Sequence, residues 1–146
     1  MISISEYKPE YRDQVLELVR EFEAEYFGAF GLEVNPETFD DAVESQRDSS
    51  FLLFIDGKLE GLLSGTLSYG FGLKGLMWQE VIWYVRKKHR RYGIKLFKAA
   101  YEALKERGVK AIIAAHLDNE MGVKMSKFYK RLGFKQLETH YIQRFE

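Results

Sequence analysis

The stretch with the greatest chemical content is VIWYVRKKHRRYGIKLFKAAYEAL, from Val81 to Leu104. An aromatic and β-branched run, which reads as a buried strand, passes through a short basic turn into an amphipathic helix with Gly93 in its first turn. That arrangement makes an anion site. The first N–H groups of a helix have no intrahelical acceptor and point outward, and the helix dipole favours negative charge there. A glycine lets a phosphate reach the backbone without meeting a Cβ. Arg86, Lys87, Lys88, Arg90, Arg91 and Lys95 surround the position with positive charge. A basic run is more often a solvated loop, or a contact for nucleic-acid phosphates. The strand before it, the glycine inside it and the helix after it favour a bound anion.

Other patterns exclude chemistry. Gly70-Phe71-Gly72-Leu73-Lys74-Gly75 satisfies G-x-G-x-x-G, but a dinucleotide fingerprint needs a helix after it, and MWQEVIWYV reads as a strand. The segment is therefore a connection between strands. The chain has no cysteine, which removes thiol nucleophiles, disulfides and thiolate metal sites. His89, His116 and His140 are far apart with no second ligand at helical spacing, so no metal is expected. The 22 basic and 22 acidic side chains cancel, which removes the general positive field of a nucleic-acid binder. MISISEYKPE has neither a basic nor an apolar leader region, and no uncharged stretch is long enough to span a membrane. The expectation is a soluble, cytoplasmic protein.

The elements that must position the basic turn follow from periodicity. ISISEY alternates as a strand, and Pro9 can open a helix carrying Val15, Leu18, Phe22 and Tyr26. Asn35-Pro36 offers a cap and first-turn proline for a second helix to about Ser45. FLLFI and KLEGLLSGTL flank Asp56-Gly57, a hairpin turn. After the strand MWQEVIWYV comes a helix with Ile94, Phe97, Tyr101 and Leu104 on its inner face, then VKAIIAAH as a second buried strand. A helix with Met125, Phe128, Tyr129 and Leu132 and a closing strand FKQLETHYIQRF complete the order β-α-α-β-β-β-α-β-α-β. The class is α/β with a mixed central sheet, and residues 1–146 read as a single domain.

Val85, followed by Arg90-Arg91-Tyr92-Gly93-Ile94-Lys95, resembles the pyrophosphate-binding R/Q-x-x-G-x-G/A motif of GNAT acetyltransferases. Lys95 stands where that family usually has Gly or Ala, and Lys87 where it often has Pro. KMSKFYKRLGF resembles the family's later helix, which ends in Y-x-k-x-GF, with Tyr129 in the tyrosine position. Gly122 stands where Asn is frequent, and Asn119 lies three residues upstream. The short form looks most similar to small GNAT proteins encoded by bacteriophages.

The resemblance implies a GNAT fold whose central parallel strands splay at the cofactor site. It implies an N-acetyltransferase that moves an acetyl group from acetyl-CoA to a primary amine, on a small molecule or a protein, by direct attack in a ternary complex. Arg90 and the amides of Arg91, Tyr92, Gly93, Ile94 and Lys95 would bind the pyrophosphate. The side chains of Arg86, Lys88 and Lys95 would lie near the phosphates. The backbone of Trp83, Tyr84 and Val85 would pair with pantetheine and polarise the thioester. Tyr129, a phenol with a pKa of about 10, would protonate the departing thiolate; as a member of an apolar stripe, it reads equally as core. Glu80 is the candidate base, against the alternative of an ordinary strand residue. The acidic early helices, with Glu21, Glu23, Glu25, Asp40, Asp41 and Glu44, would border a cationic acceptor or form a solvated surface. Competing functions are a CoA-binding module without catalysis, favoured by Lys95 and Gly122, and a nucleic-acid binder using Arg86 to Arg91. The strand after Phe134 would leave an edge open to a homodimer.

Overall fold

The computed structural model describes every residue except Phe71 and Glu146, and Ala29 by its backbone alone. The chain forms two compact units, Met1–Ile113 and Ala114–Glu146. The first contains β1 (Ile2–Glu6), α1 (Arg12–Tyr26), α2 (Pro36–Gln46), β2 (Ser50–Ile55), β3 (Lys58–Ser68) and β4 (Met77–Val85). A 3-10 turn (Lys87–Tyr92), α3 (Gly93–Glu106) and β5 (Ala111–Ile113) complete it. The second unit contains α4 (Glu120–Arg131). The sheet has five strands in chain order, antiparallel except for the parallel pair β4 and β5. The mixed α/β class is as expected.

Local chemistry explains most boundaries. Asp56 and Gly57 take φ of 50° and 81°, the positive pair that a two-residue hairpin requires, and β2 and β3 zip on either side. The Asn35 side chain accepts from the Glu37 amide at 2.8 Å, with Pro36 in the first turn, so α2 starts where its cap allows. α1 turns Val15, Leu18 and Phe22 inward, and the fully buried Leu52, Leu53 and Leu63 of β2 and β3 fill the middle of the sheet.

Two irregularities shape the sheet. Leu53 pairs with Gly61 and Phe54 with Leu59, which leaves Glu60 as an extra residue on β3. Ser64 pairs with Ile82 and Gly65 with Glu80, which leaves Val81 extra on β4. Such bulges bend a strand and re-aim the side chains beside them.

Three expectations need correction. The inner face of α3 is Leu96, Phe97, Ala100 and Leu104, whereas Ile94 is 44% exposed and Tyr101 half-buried, because the helix turns the stripe centred on Leu96 and Ala100 toward the sheet. The strand expected over VKAIIAAH shrinks to Ala111–Ile113 and is partly exposed, since it is laddered on β4 for three residue pairs. The closing strand expected from Phe134 does not form among the described residues. A strand needs a ladder for its N–H and C=O groups, and none reaches this segment, whose Leu137 and Tyr141 are 69% and 93% exposed.

Candidate active site

Trp83, Tyr84 and Val85 end β4 and deliver the chain into the basic turn. The parallel ladder with β5 covers Met77, Trp78 and Gln79 and stops, whereas β4 continues to Val85. β5 ends with that ladder, and β4 runs on to the turn without it. Trp83 stacks against Phe97 at 5.1 Å and, with Val85, faces the first residue of α3, Gly93.

Gly93 has φ −60° and ψ −40°, ordinary helical values that any residue adopts. A Cβ built on it would lie 3.7 Å from Val85 and 3.8 Å from Trp83, which is normal contact. Neither the backbone nor the packing asks for glycine, although glycine weakens a helix by about 0.5–1 kcal/mol relative to alanine. Gly93 is itself buried, and the side a Cβ would take faces Val85 and Trp83 at the end of β4. One expectation changes in detail: the Gly93 amide donates to the Arg90 carbonyl, because the 3-10 turn supplies an acceptor three residues back.

The basic run divides into two sets. Arg86 is held inside the first unit: its Nε donates to Glu21 at 2.8 Å, its Nη1 to the Leu59 carbonyl at 3.1 Å, and Glu17 and Glu60 lie at 3.3 and 3.4 Å. Glu60, 6% exposed, also meets His89 Nε2 at 3.3 Å, so the bulge on β3 sets a carboxylate beneath the turn. Arg90 donates through Nε to the Val85 carbonyl at 3.1 Å and through Nη2 to both oxygens of Glu25 at 2.8 and 3.1 Å. Arg86 and Arg90 thus spend their side-chain donors on acids and carbonyls of the first unit. Lys87, Lys88 and Lys95 are exposed and make no ion pair among the described residues. Arg91 lies over Tyr92 at 4.7 Å, with Nη2 donating to its hydroxyl at 3.1 Å.

Glu25, Tyr84 and Arg90 form one network. The Tyr84 hydroxyl donates to Glu25 at 3.1 Å, and the Arg90 guanidinium sits 5.8 Å from the Tyr84 ring. Burial alone would raise the Glu25 carboxyl, but the hydrogen bonds from Arg90 and Tyr84 outweigh it and hold the group below its ordinary value. Burial, then the hydrogen bond to Glu25, pushes the Tyr84 phenol up to about 12. None of these three side-chain roles was apparent from the motif. The one available signal was spacing: Glu17, Glu21 and Glu25 recur every four residues on α1, as do Arg86 and Arg90 in the turn. Of the acids on the early helices, Glu21 and Glu25 pair with Arg86 and Arg90, Asp40 with Arg12 at 2.7 Å and Glu44 with Arg47, while Glu23 accepts from the Val34 amide at 2.6 Å.

Glu80 is half-buried on β4, opposite Gly65 and beside the extra residue Val81. Trp78 is core, with its Nε1 donating to the Ser49 carbonyl at 3.0 Å. The glycine-rich connection runs into β4 and not into a helix, as its sequence context indicated. Among the described residues, no group of three His, Asp or Glu side chains is placed to hold a metal ion.

Tyr129 belongs to the second unit, where it is buried and its hydroxyl donates to the Ala115 carbonyl at 2.8 Å. α4 is capped by Asn119, which accepts from the Gly122 amide at 2.9 Å. A Cβ at Gly122 would stand 1.9 Å from the Leu117 carbonyl oxygen and 2.7 Å from His116 Nδ1, so glycine alone fits there.

The model of the acetyltransferase (GNAT) family matches residues 15–134 of this chain. The chain belongs to the GNAT family. No curated protein matches its sequence. Among solved structures, an aminoglycoside acetyltransferase from an uncultured soil metagenomic sample is similar at 18% identity and a TM-score of 0.76, over 100% of this chain and 99% of that one. AAC(6')-Iy, in complex with the bisubstrate analogue CoA-S-monomethyl-acetylneamine, is similar at 14% identity and a TM-score of 0.72, over 100% and 99%. Ribosomal-protein-alanine N-acetyltransferase from Brucella melitensis biovar Abortus 2308 is similar at 15% identity and a TM-score of 0.74, over the whole of both chains. At these identities the likeness establishes the fold. Within the GNAT fold, β4, the basic turn and Gly93 form the corner described above.

Proposed function

We propose that this GNAT protein transfers an acetyl group from acetyl-CoA to a primary amine. The observation that carries the reading is the corner after β4, where the chain passes through a basic turn with exposed Lys87 and Lys88 into α3 at Gly93, and Lys95 is exposed in the first turn of that helix. That corner fits a diphosphate, which needs close backbone approach and positive charge. Acetyl-CoA would supply the activated acyl group as a thioester. The amides of Arg91, Tyr92, Ile94 and Lys95 would receive the diphosphate, with the lysine ammonium groups screening its charge. The backbone of Trp83 to Val85, beyond the end of the parallel ladder, would align the pantetheine arm. Glu80 would accept a proton from the amine through water, and the family resemblance gives the Tyr129 hydroxyl the role of proton donor to the leaving sulfur.

The test is calorimetric titration of acetyl-CoA into wild type and Gly93→Leu, alongside thiol release with an amine panel. The reading expects micromolar-range binding that weakens by about tenfold or more in the variant, a loss of about 1.4 kcal/mol. Equal affinity in both proteins would remove it. The Tyr129 bond to the Ala115 carbonyl favours a second reading, a fold that binds CoA without turnover, because that proton already has an acceptor. Thermal stabilisation by acetyl-CoA with no thiol released from any amine would select that reading.

A further inference from the structure

We infer that the acceptor of this GNAT protein is a primary amine borne on a compact apolar group, seated in a cavity between α1, α2 and the sheet. The inference rests on the acetyltransferase reading and names the substrate class of that same site.

The cavity measures about 150 Å³ and lies wholly within the first unit. Val15 and Val19 of α1, Phe39 and Val43 of α2 and Leu62 of β3 form most of its wall. Its side toward β4 is Val81 and Ile82. These come just after Gln79 and Glu80, past the point where the parallel ladder stops, so the cavity shares residues with the stretch of β4 that leads to the cofactor corner. Val81, the extra residue of the bulge, is 48% exposed and brings the cavity to the surface.

The lining contains no carboxylate and no cation. Its polar members are the Tyr7 phenol and a cluster in which Ser50 Oγ lies 2.7 Å from Ser64 Oγ, Ser64 Oγ donates to Gln46 Oε1 at 2.6 Å, and Ser50 Oγ approaches the Gln46 carbonyl at 2.8 Å. Of the acids of α2 nearest in sequence, Asp40 is paired with Arg12 and Glu44 with Arg47, and Asp41 is exposed to solvent. A polycation stripped of water would find no counter-charge in this wall, and burying an unpaired ammonium is prohibitive. An apolar cavity of about 150 Å³ accommodates a group the size of benzene. The same surroundings favour the neutral form of an attached amine, which is the form that attacks. The nitrogen bonds to the acetyl carbon as the carbon–sulfur bond breaks toward sulfur. The proton shed by nitrogen ends on the thiolate, leaving an amide and free CoA thiol.

The experiment compares kcat/KM of the full chain for phenethylamine and isoamylamine with that for spermidine and kanamycin, following both thiol release and product mass. The apolar amines are expected to lead by about tenfold or more. Val43→Phe, and the milder Val19→Leu, fill the cavity and are expected to depress kcat/KM for phenethylamine by about tenfold and about threefold respectively, with melting temperature and acetyl-CoA affinity retained. A preference for spermidine or kanamycin, or unchanged phenethylamine kinetics in both folded variants, overturns the inference while leaving the acetyltransferase reading in place. Failure of acetyl-CoA to bind the wild-type chain overturns that reading, and this inference with it.

Discussion

At the scale of single residues, the instructive pair is Arg90 and Glu25. The motif marks Arg90 as a phosphate ligand, but its guanidinium fastens the end of β4 to α1. Sequence could show that the turn is basic; it could not show which arginines are already spent, because equal charges compete for the same acids and only packing chooses. Glu25→Gln keeps the shape and removes the charge, so the turn should loosen and acetyl-CoA affinity fall by about threefold, with kcat little changed. The pH dependence has a definite sign. The Glu25 carboxyl lies below its ordinary value in the folded protein, so its stabilisation is complete above an unfolded value of about 4.3 and disappears as pH falls through the folded one. Urea midpoints measured against pH should show that acidic limb in wild type and a shallower one in Glu25→Gln, where Asp40 and Asp56 still lie below their ordinary values. Tyr84→Phe should lower stability by about 0.5–1.5 kcal/mol, the ordinary worth of one hydrogen bond. It should also remove the phenol that otherwise titrates near about 12, visible as a missing late step in an ultraviolet titration.

At the scale of elements, the start of α4 shows why a departure from a motif need not be a defect. Gly122 stands where the family often carries Asn, yet the Leu117 carbonyl leaves no room for a Cβ, and Asn119 provides the cap. Gly122→Ala should destabilise by about 1–3 kcal/mol through forced backbone movement, and Asn119→Ala by about 0.5–2 kcal/mol through the lost cap, both read by denaturant unfolding. The β2–β3 hairpin and the cap of α2 were legible because they depend on residues adjacent in sequence. The short β5 and the segment after Phe134 were not, because a strand is made by its partner as much as by its own residues. The α3 stripe was misplaced because Ile94-Phe97-Tyr101-Leu104 and Leu96-Phe97-Ala100-Leu104 both satisfy helical spacing, and only the packing against the sheet chooses between them.

At the scale of the whole molecule, charge is balanced in place as well as in sum. With Arg86 and Arg90 neutralised by acids of α1 and β3, the outward charge of the turn reduces to Lys87, Lys88, Arg91 and Lys95. Lys88→Ala combined with Lys95→Ala should reduce acetyl-CoA affinity by about tenfold and flatten its salt dependence, whereas duplex DNA should bind weakly at physiological salt and be displaced by CoA. The mixed sheet was foreseeable from the order of elements, but the two bulges that place Glu60 and Val81 were not, since an extra residue shows only against a partner strand. The contacts of Arg86 with Glu21 and of Arg90 with Glu25 each join residues 65 apart in the chain. The turn is therefore clasped by a helix made early in translation, and occupancy of one should report on the other. Amide protons of α1 should exchange more slowly with deuterated solvent when coenzyme is present, even though α1 supplies none of the groups assigned to hold it.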